Sequence, residues 1–469
     1  MPLILGANSL AGGGYEVDNS LRFNSGSSDY LSRTPASASN RQIFTISFWF
    51  KKVTTGVSNG ILIHGQNTGN NDFSIYNNTS DRIEIFSWNA SSAQFTLSTT
   101  QVLRDVSAWY HMVVACDTTQ ATASNRVKLY LNGSQITSFV QADYPSQNAN
   151  LNYNTTDPYW IGRSYGGTYN NKYLSDFYSI DGQALDPDDF GEFDEDSGIW
   201  KPIAYTGTYG TNGFYLEFKD SSALGDDTSG NSNDWTVNNL TSIDQTTDTP
   251  TNNFCTLNSL DNIASATFTE GNLQIVTGVS SDTYNTATFG MTAGKWYWEA
   301  KFLSSGALGN AEWGIVAQPS YKTTSGARLY QQSNSVSVND YNYNVYANGS
   351  STGITVGTYA QNDIINFAYD ADNNAFYIGR NGTWLNSGVP TSGASKTGAF
   401  TAGTSGITYF PAVGDQNGSA GYSFQFNFGN PPYTVTAPSS DANGYGAFDI
   451  DVVPAGYYAL NTKNLAEYG

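Results

Sequence analysis

Along most of this chain, apolar and polar residues change places at every second position. FTISFWFKK (Phe44–Lys52), WYHMVVACD (Trp109–Asp117), RVKLYLNGSQ (Arg126–Gln135) and GKWYWEAKF (Gly294–Phe302) all read as strands. Clusters of Gly, Asn, Asp and Ser separate them. NSLRFNSGSSDYLSRT (Asn19–Thr34) reads as strand, polar turn, strand. YWIGRSY (Tyr159–Tyr165) and YLSDFYSIDGQALDPDDF (Tyr173–Phe190) continue the series. Asn132-Gly133 marks a tight hairpin, because both residues tolerate positive φ. Helical periodicity is nearly absent and no heptads appear, so no coiled-coil stalk is encoded. The pattern predicts an all-β protein of antiparallel β-sandwiches, not a parallel α/β sheet.

The punctuation divides the chain. Residues 1–14 read as an N-terminal arm, 15–200 as a first sandwich and 201–262 as a connector with extra strands. Residues 263–436 read as a second sandwich and 437–469 as a C-terminal arm. TDTPTNNF (Thr247–Phe254) is a Pro/Asn-rich boundary. The acidic run DPDDFGEFDED (Asp186–Asp196) reads as a solvated connector, with a metal site as the sharper alternative. Trp296 and Trp298 are two apart and share one face of a strand, so they are expected in a core, as are Trp49 and Trp109.

Composition narrows the partners. The 469 residues allow two or three domains. A net charge of −20 disfavours nucleic acid and anionic membranes. Yet only 13% of residues are charged, so Ser, Thr, Asn and Gly must supply much of the polar surface. No apolar run is long enough to insert into a membrane. The opening MPLILGANSLAGGG has no basic region before its short apolar patch and does not read as a signal peptide. Cys116 and Cys255 fall in different predicted domains, so a disulfide is not expected, and Cys116 reads as a buried thiol. An extracellular-looking chain with neither feature fits cytoplasmic assembly and release by lysis.

The blocks also carry family resemblances. GKWYWEAKF, DIINFAYDADNNAFYIGRNGTWL (Asp363–Leu385) and YFPAVGDQNGSAGYSFQFNFG (Tyr409–Gly429), in this order, resemble the SPRY domain, a binding β-sandwich. The strand WYHMVVACD, the hairpin RVKLYLNGSQ and YWIG resemble the laminin-G-like, concanavalin-type sandwich. The pairing of the two looks like virion and tail-fibre-like proteins of tailed phages, especially marine ones. That resemblance implies a virion component on the tail or capsid surface that contacts other virion proteins and a host-surface glycan or receptor. A homotrimer is implied by analogy with fibres. Capsid decoration or a head fibre, with terminal arms docking on neighbours, is the architectural alternative. A secreted polysaccharide-degrading enzyme is a weaker one.

Catalytic chemistry finds little support in the residues. The two histidines, His64 and His111, both lie in strand-like runs. No HExxH, GxSxG, phosphate-loop or CxxC spacing occurs, so the chain reads as a non-enzyme with no catalytic residues. Calcium is the ion to consider, since it needs about six to eight oxygens from carboxylates and loop carbonyls, and laminin-G-like domains often carry one at the sandwich rim. Candidate ligands are Asp72 (beside Asn70 and Asn71), Asp157, Asp226, Asp227 and Asp234. Glycan binding would place sugar rings on exposed aromatics, with amides and carboxylates on the hydroxyls. One candidate set is Tyr330, Asn339, Asp340, Tyr341, Tyr343 and Tyr346. A second is Tyr165, Tyr169, Asn170, Asn171 and Tyr173.

Overall fold

The computed structural model describes residues 14–57, 60–67 (backbone only), 71–90, 92–163, 167–278, 282–304, 310–320, 327–415, 421–450 and 453–469. The fold is nearly all β. Two compact units divide at Asn252, with the second running from Asn253 to Gly469.

The first unit is a sandwich of two eight-stranded sheets. In one, Ile43–Lys52 lies between Trp109–Asp117 and Lys172–Asp181, with Val127–Leu131 and Ser20–Phe23 outside them. In the other, Asn71–Asn77 and Arg82–Asn89 sit centrally, and Gly60–Asn67, Tyr159–Ile161, Tyr30–Arg33 and Thr236–Asn238 follow towards one edge. Alternate positions of both sheets meet in one core: Phe44, Ile46 and Phe48 from the first, and Phe73, Ile75, Ile85 and Leu97 from the second. The hairpin at Asn132-Gly133 forms as expected, with φ of 47° and 77°, and Leu131 faces Ser134. A β-carbon on Gly133 would lie 2.4 Å from the Trp200 ring, so glycine is needed there twice over.

Several expected boundaries move. The connector does not stand between the units. Phe214–Leu216 pairs with Lys172–Asp181, Thr236–Asn238 pairs with Tyr30–Arg33, and Gln245–Thr246 pairs with Ser20–Phe23. Residues 201–252 therefore complete both sheets of the first unit, because those edges would otherwise leave ladder groups unpaired. The acidic run is exposed to solvent as expected, but it belongs to the first unit and does not link two domains. Gly191–Phe193 forms a ribbon with Trp200–Pro202, and Trp200 buries itself beside Trp49, Trp109 and Tyr173. These tryptophans are buried as expected, though outside the inter-sheet core.

The second unit also packs two sheets. One centres on Lys295–Phe302 between Ile364–Asp370 and Ser423–Asn427; the other orders Thr283–Thr286, Phe410–Asp415, Ala311–Val316, Ser335–Asn339, Asn344–Ala347 and Ser350–Thr355. Trp296 and Trp298 are fully buried between the sheets. The segment after Pro438 is not a free arm. Tyr458–Ala459 adds a parallel strand to Lys295–Phe302, Leu460 enters the core, and the helix Thr462–Tyr468 is capped by the Asn461 side chain. Buried carboxylates fasten the segment. Glu299 accepts from the backbone N–H of Asp449 and Ile450 at 2.8 and 3.0 Å. Asp441 accepts from Ala459 N and Asn464 Nδ2 at 2.9 and 2.8 Å. The N-terminal arm of residues 1–14 lies outside the described residues except for Gly14. Among the described residues no helix is long and apolar enough to cross a membrane.

Two stability tests follow. Asp248→Ala removes the carboxylate that lies 2.7 Å from the buried Lys51 ammonium in the native protein. Denaturant unfolding should show a loss of about 3–5 kcal/mol. Deleting residues 438–469 should remove the second unit's cooperative thermal transition, whereas a loosely attached arm would leave it unchanged.

Candidate functional site

In the second sheet of the first unit, Leu31, Ile161, Phe73 and Ile85 point into the core. The alternate positions therefore face away from it. On that outward face Trp160 stands opposite Ser32, Ser74 opposite Phe86 and Asp72 opposite Trp88. Trp88 is 37% exposed, and Tyr30, Tyr76, Phe86 and Trp160 are half-buried. Strand alternation thus produces an aromatic surface with Ser, Asp and Glu among the rings. At its edge Arg163 lies 4.8 Å from the Tyr30 ring, 5.6 Å from Trp160 and 5.8 Å from Tyr169.

Of the second predicted set, only Tyr169 joins this surface. Asn170 is buried, with its N–H on the Gly162 carbonyl. Asn171 is taken by the Ser25 N–H at 2.7 Å. Tyr173 is fully buried among Trp49, Trp109 and Trp200. Its alternation places it on the covered face of the other sheet, so it offers no ring to a ligand. Tyr165 lies outside the described residues. Trp160, Tyr30, Phe86 and Trp88 were missed because a strand aromatic reads as core until the uncovered face is known.

The first set splits similarly. Tyr330 and Tyr346 pack with ring centroids 4.7 Å apart, Tyr341 is 69% exposed, and Tyr343 packs against the core. Asn339 and Asp340 turn inward and are buried. Asn339 accepts from Tyr341 N at 2.9 Å and donates to Glu312 at 3.4 Å. Both Asp340 carboxylate oxygens are buried without a hydrogen-bond partner. Neither residue is presented to solvent as a sugar-binding group.

The predicted calcium ligands do not converge. Among the described residues no group of three or more His, Cys, Asp or Glu side chains could hold a metal ion. Asp227 accepts from Tyr215 N, Ser229 N and Asn233 N at 2.8–2.9 Å, and Asp234 accepts from Asp227 N at 2.9 Å. These two carboxylates organise a loop, as the turn chemistry of Asp allows. Asp226 is exposed, Asp157 binds the Thr155 hydroxyl at 2.9 Å, and Asp72 lies in a strand with one buried oxygen unpaired. Asn71 accepts from Ala90 N, and Asn70 is outside the described residues.

His111 is structural. Nδ1 accepts from Trp200 Nε1 at 3.0 Å, which leaves the proton on Nε2, 2.9 Å from Ser47 Oγ. Burial lowers its pKa to about 3. His64 lies in the strand Gly60–Asn67. On the outward aromatic face, Asp72 and Glu84 sit four residues apart in register. That is about 13 Å along the strands, beyond the roughly 5–9.5 Å used in glycoside hydrolysis. Both cysteines are buried and neither forms a disulfide.

Residues 25–189 match a family described as the concanavalin A-like lectin/glucanases superfamily. That stretch lies within the first unit, and the description spans both sugar binding and hydrolysis. No curated protein matches the chain. Among solved structures, mouse laminin alpha1 domains LG4-5 align at 10% identity over 88% of this chain and 89% of that one, with a TM-score of 0.30. The SPRY domain of human HERC1 aligns at 16% identity over 33% and 87%, with a TM-score of 0.27. A heptameric SAP-like pentraxin from Limulus polyphemus aligns at 17% identity over 36% and 78%, with a TM-score of 0.26. At these scores nothing about partners or ligands follows from the likenesses.

Burial sets the protein's response to pH. Desolvation pushes the carboxyls of Asp176, Glu299 and Asp340 up to about 7, Glu312 up to about 8 and Asp415 up to about 6. Each holds its proton in the folded protein at a pH where the unfolded chain has released it. Their contribution to stability is therefore complete below the ordinary carboxylate range and is lost as pH rises through about 6–8. Asp81, Asp117 and Asp194 shift downward through hydrogen bonds and act oppositely in acid. The melting temperature should rise between about pH 8 and pH 5 and fall below about pH 4; scanning calorimetry across that range checks it.

Proposed function

We propose that this protein is a binding component of a tailed-phage particle, of tail-fibre or adhesin type, that holds a host-surface glycan on the outward aromatic face of its first unit. The observation that carries this reading is the outward-facing set Tyr30, Trp160, Phe86 and Trp88 on a regular sheet, with Trp88 exposed and the other three half-buried among the described residues. Sugar rings present apolar C–H faces that stack on such side chains, while nearby hydroxyls and carboxylates take the polar edges. A rigid sheet positions those rings without the entropy cost of ordering a loop. The phage assignment rests on the order of laminin-G-like and SPRY-like blocks along the chain. In this reading the protein is non-catalytic, works on the particle surface after lysis, contacts other virion proteins and assembles as a homotrimer. The architectural alternative drew on two terminal arms docking on neighbours; residues 438–469 fold onto their own sandwich, and residues 1–13 lie outside the described residues.

Purified full-length protein should bind host cells or their extracted surface polysaccharide at or below high micromolar concentration. Trp88→Ala, at an exposed position that leaves the core intact, should weaken that binding about five- to tenfold. Absence of binding by the unmodified protein would refute the adhesin reading.

A further inference from the structure

Regular alternation would turn Arg163 inward. Ile161 lies in the inter-sheet core, and the residue two positions on shares its face in an unbroken strand. Gly162 interrupts the alternation. Its φ of 87° is in the left-handed region, and a β-carbon there would lie 2.5 Å from the Phe23 ring, so glycine is required. The interruption carries the Arg163 side chain to the outward face. Its guanidinium stands 4.8–5.8 Å from the ring centres of Tyr30, Trp160 and Tyr169. Tyr30 comes from the neighbouring strand, and the backbone of Tyr169 bridges to that of Arg163.

Rings hold a guanidinium through its charge and its flat faces and leave its in-plane N–H groups unused. Among the described residues the Arg163 guanidinium meets no carboxylate and no hydrogen-bond acceptor, and its Nε is buried without one. Arg104, Arg328 and Arg380 are by contrast paired with Asp81, Asp282 and Asp363. Arg163 is half-buried, so solvent still reaches it. It also stands at one end of a row of rings. Trp160 lies level with Phe86 across the strands Gly60–Asn67 and Asn71–Asn77. These two rings are separated by roughly 14 Å of sheet, so a ligand touching both is an oligosaccharide.

We propose that Arg163 binds the carboxylate of an acidic sugar residue at one end of the glycan on this face, with the guanidinium fork on the carboxylate oxygens and the sugar ring beside Tyr30, Trp160 and Tyr169. The inference rests on the glycan-binding reading above and narrows it to glycans that carry a uronic-type acid. A guanidinium matches a planar carboxylate with two parallel N–H bonds. The three rings fix its plane before the ligand arrives, which lowers the ordering cost of binding. The net charge of −20 repels anions over the surface as a whole. The preferred ligand is therefore a largely neutral chain with a single acid, not a polyanion.

The test is calorimetric titration of the full-length protein with a neutral xylo-oligosaccharide bearing one glucuronate and, in parallel, with its carboxyl-reduced analogue. The acid should bind about tenfold more tightly. Arg163→Gln should abolish that preference, and Arg163→Lys, which keeps the charge without the fork, should reduce it. Arg82→Gln, on another strand of the same sheet, should leave it unchanged. Equal binding of the two sugars, or a preference that survives Arg163→Gln, overturns the proposal. So does a loss in Arg82→Gln as large as in Arg163→Gln, which would trace the preference to overall charge. If neither sugar binds while extracted host polysaccharide does, only the acidic-sugar assignment falls. If that polysaccharide does not bind either, the adhesin reading falls with it.

Discussion

A fully buried ion pair closes the first sandwich. Lys51 and Asp248 are both inaccessible to solvent and lie 2.7 Å apart. The other Asp248 oxygen takes the Trp109 indole N–H at 3.0 Å, and its carbonyl takes the Ser20 hydroxyl at 2.6 Å. A buried charge left alone is costly, so the segment carrying Asp248 has one position in which both charges are answered. Holding it there places Gln245–Thr246 beside Ser20–Phe23. The segment before it then runs back along both sheet edges. This is how Asn212, Phe214 and Trp235, remote in sequence from Arg33, come to surround it.

The second sandwich fastens its last segment with buried carboxylates that accept hydrogen bonds. Glu299 and Asp441 are acceptor-rich groups buried where trailing backbone would otherwise have unpaired N–H groups. Each carboxylate answers several donors at once, and the donors offset part of its desolvation. The Phe448, Tyr457 and Ala459 side chains then cover Tyr297 and Tyr377 on the outer sheet face. The chain's many tyrosines follow this logic. Several, among them Tyr178, Tyr215 and Tyr297, form covering layers over sheet faces, with hydroxyls finding polar neighbours, as Tyr15 does with Tyr215 at 2.7 Å.

Regular alternation therefore yields faces of two kinds, and burial separates them. Tyr173 and Trp160 are both aromatic strand residues in the first unit. Tyr173 is covered by Trp49, Trp109 and Trp200, whereas Trp160 stays on an open face beside Arg163. The binding reading depends on that distinction. So does the weak case for calcium, since Asp227 and Asp234 spend their oxygens on loop amides.

Much was legible in the sequence because it is local. Period-two alternation gave the all-β class, Asn132-Gly133 gave a hairpin with both residues at positive φ, and Trp296 and Trp298 gave a core face. These features depend on neighbours one to four residues away. Domain edges were not legible, because residues 201–252 and 438–469 look like linkers until the sheet edges and buried carboxylates they satisfy are known. Nor was the site legible. Alternation says that two sets of side chains face opposite ways, and only the layers packed on each sheet decide which set meets water. The sequence by itself determined two sandwiches and their turns. Which aromatics are exposed, and that Arg163 stands among Tyr30, Trp160 and Tyr169, was decided by long-range pairing, which no local pattern encodes.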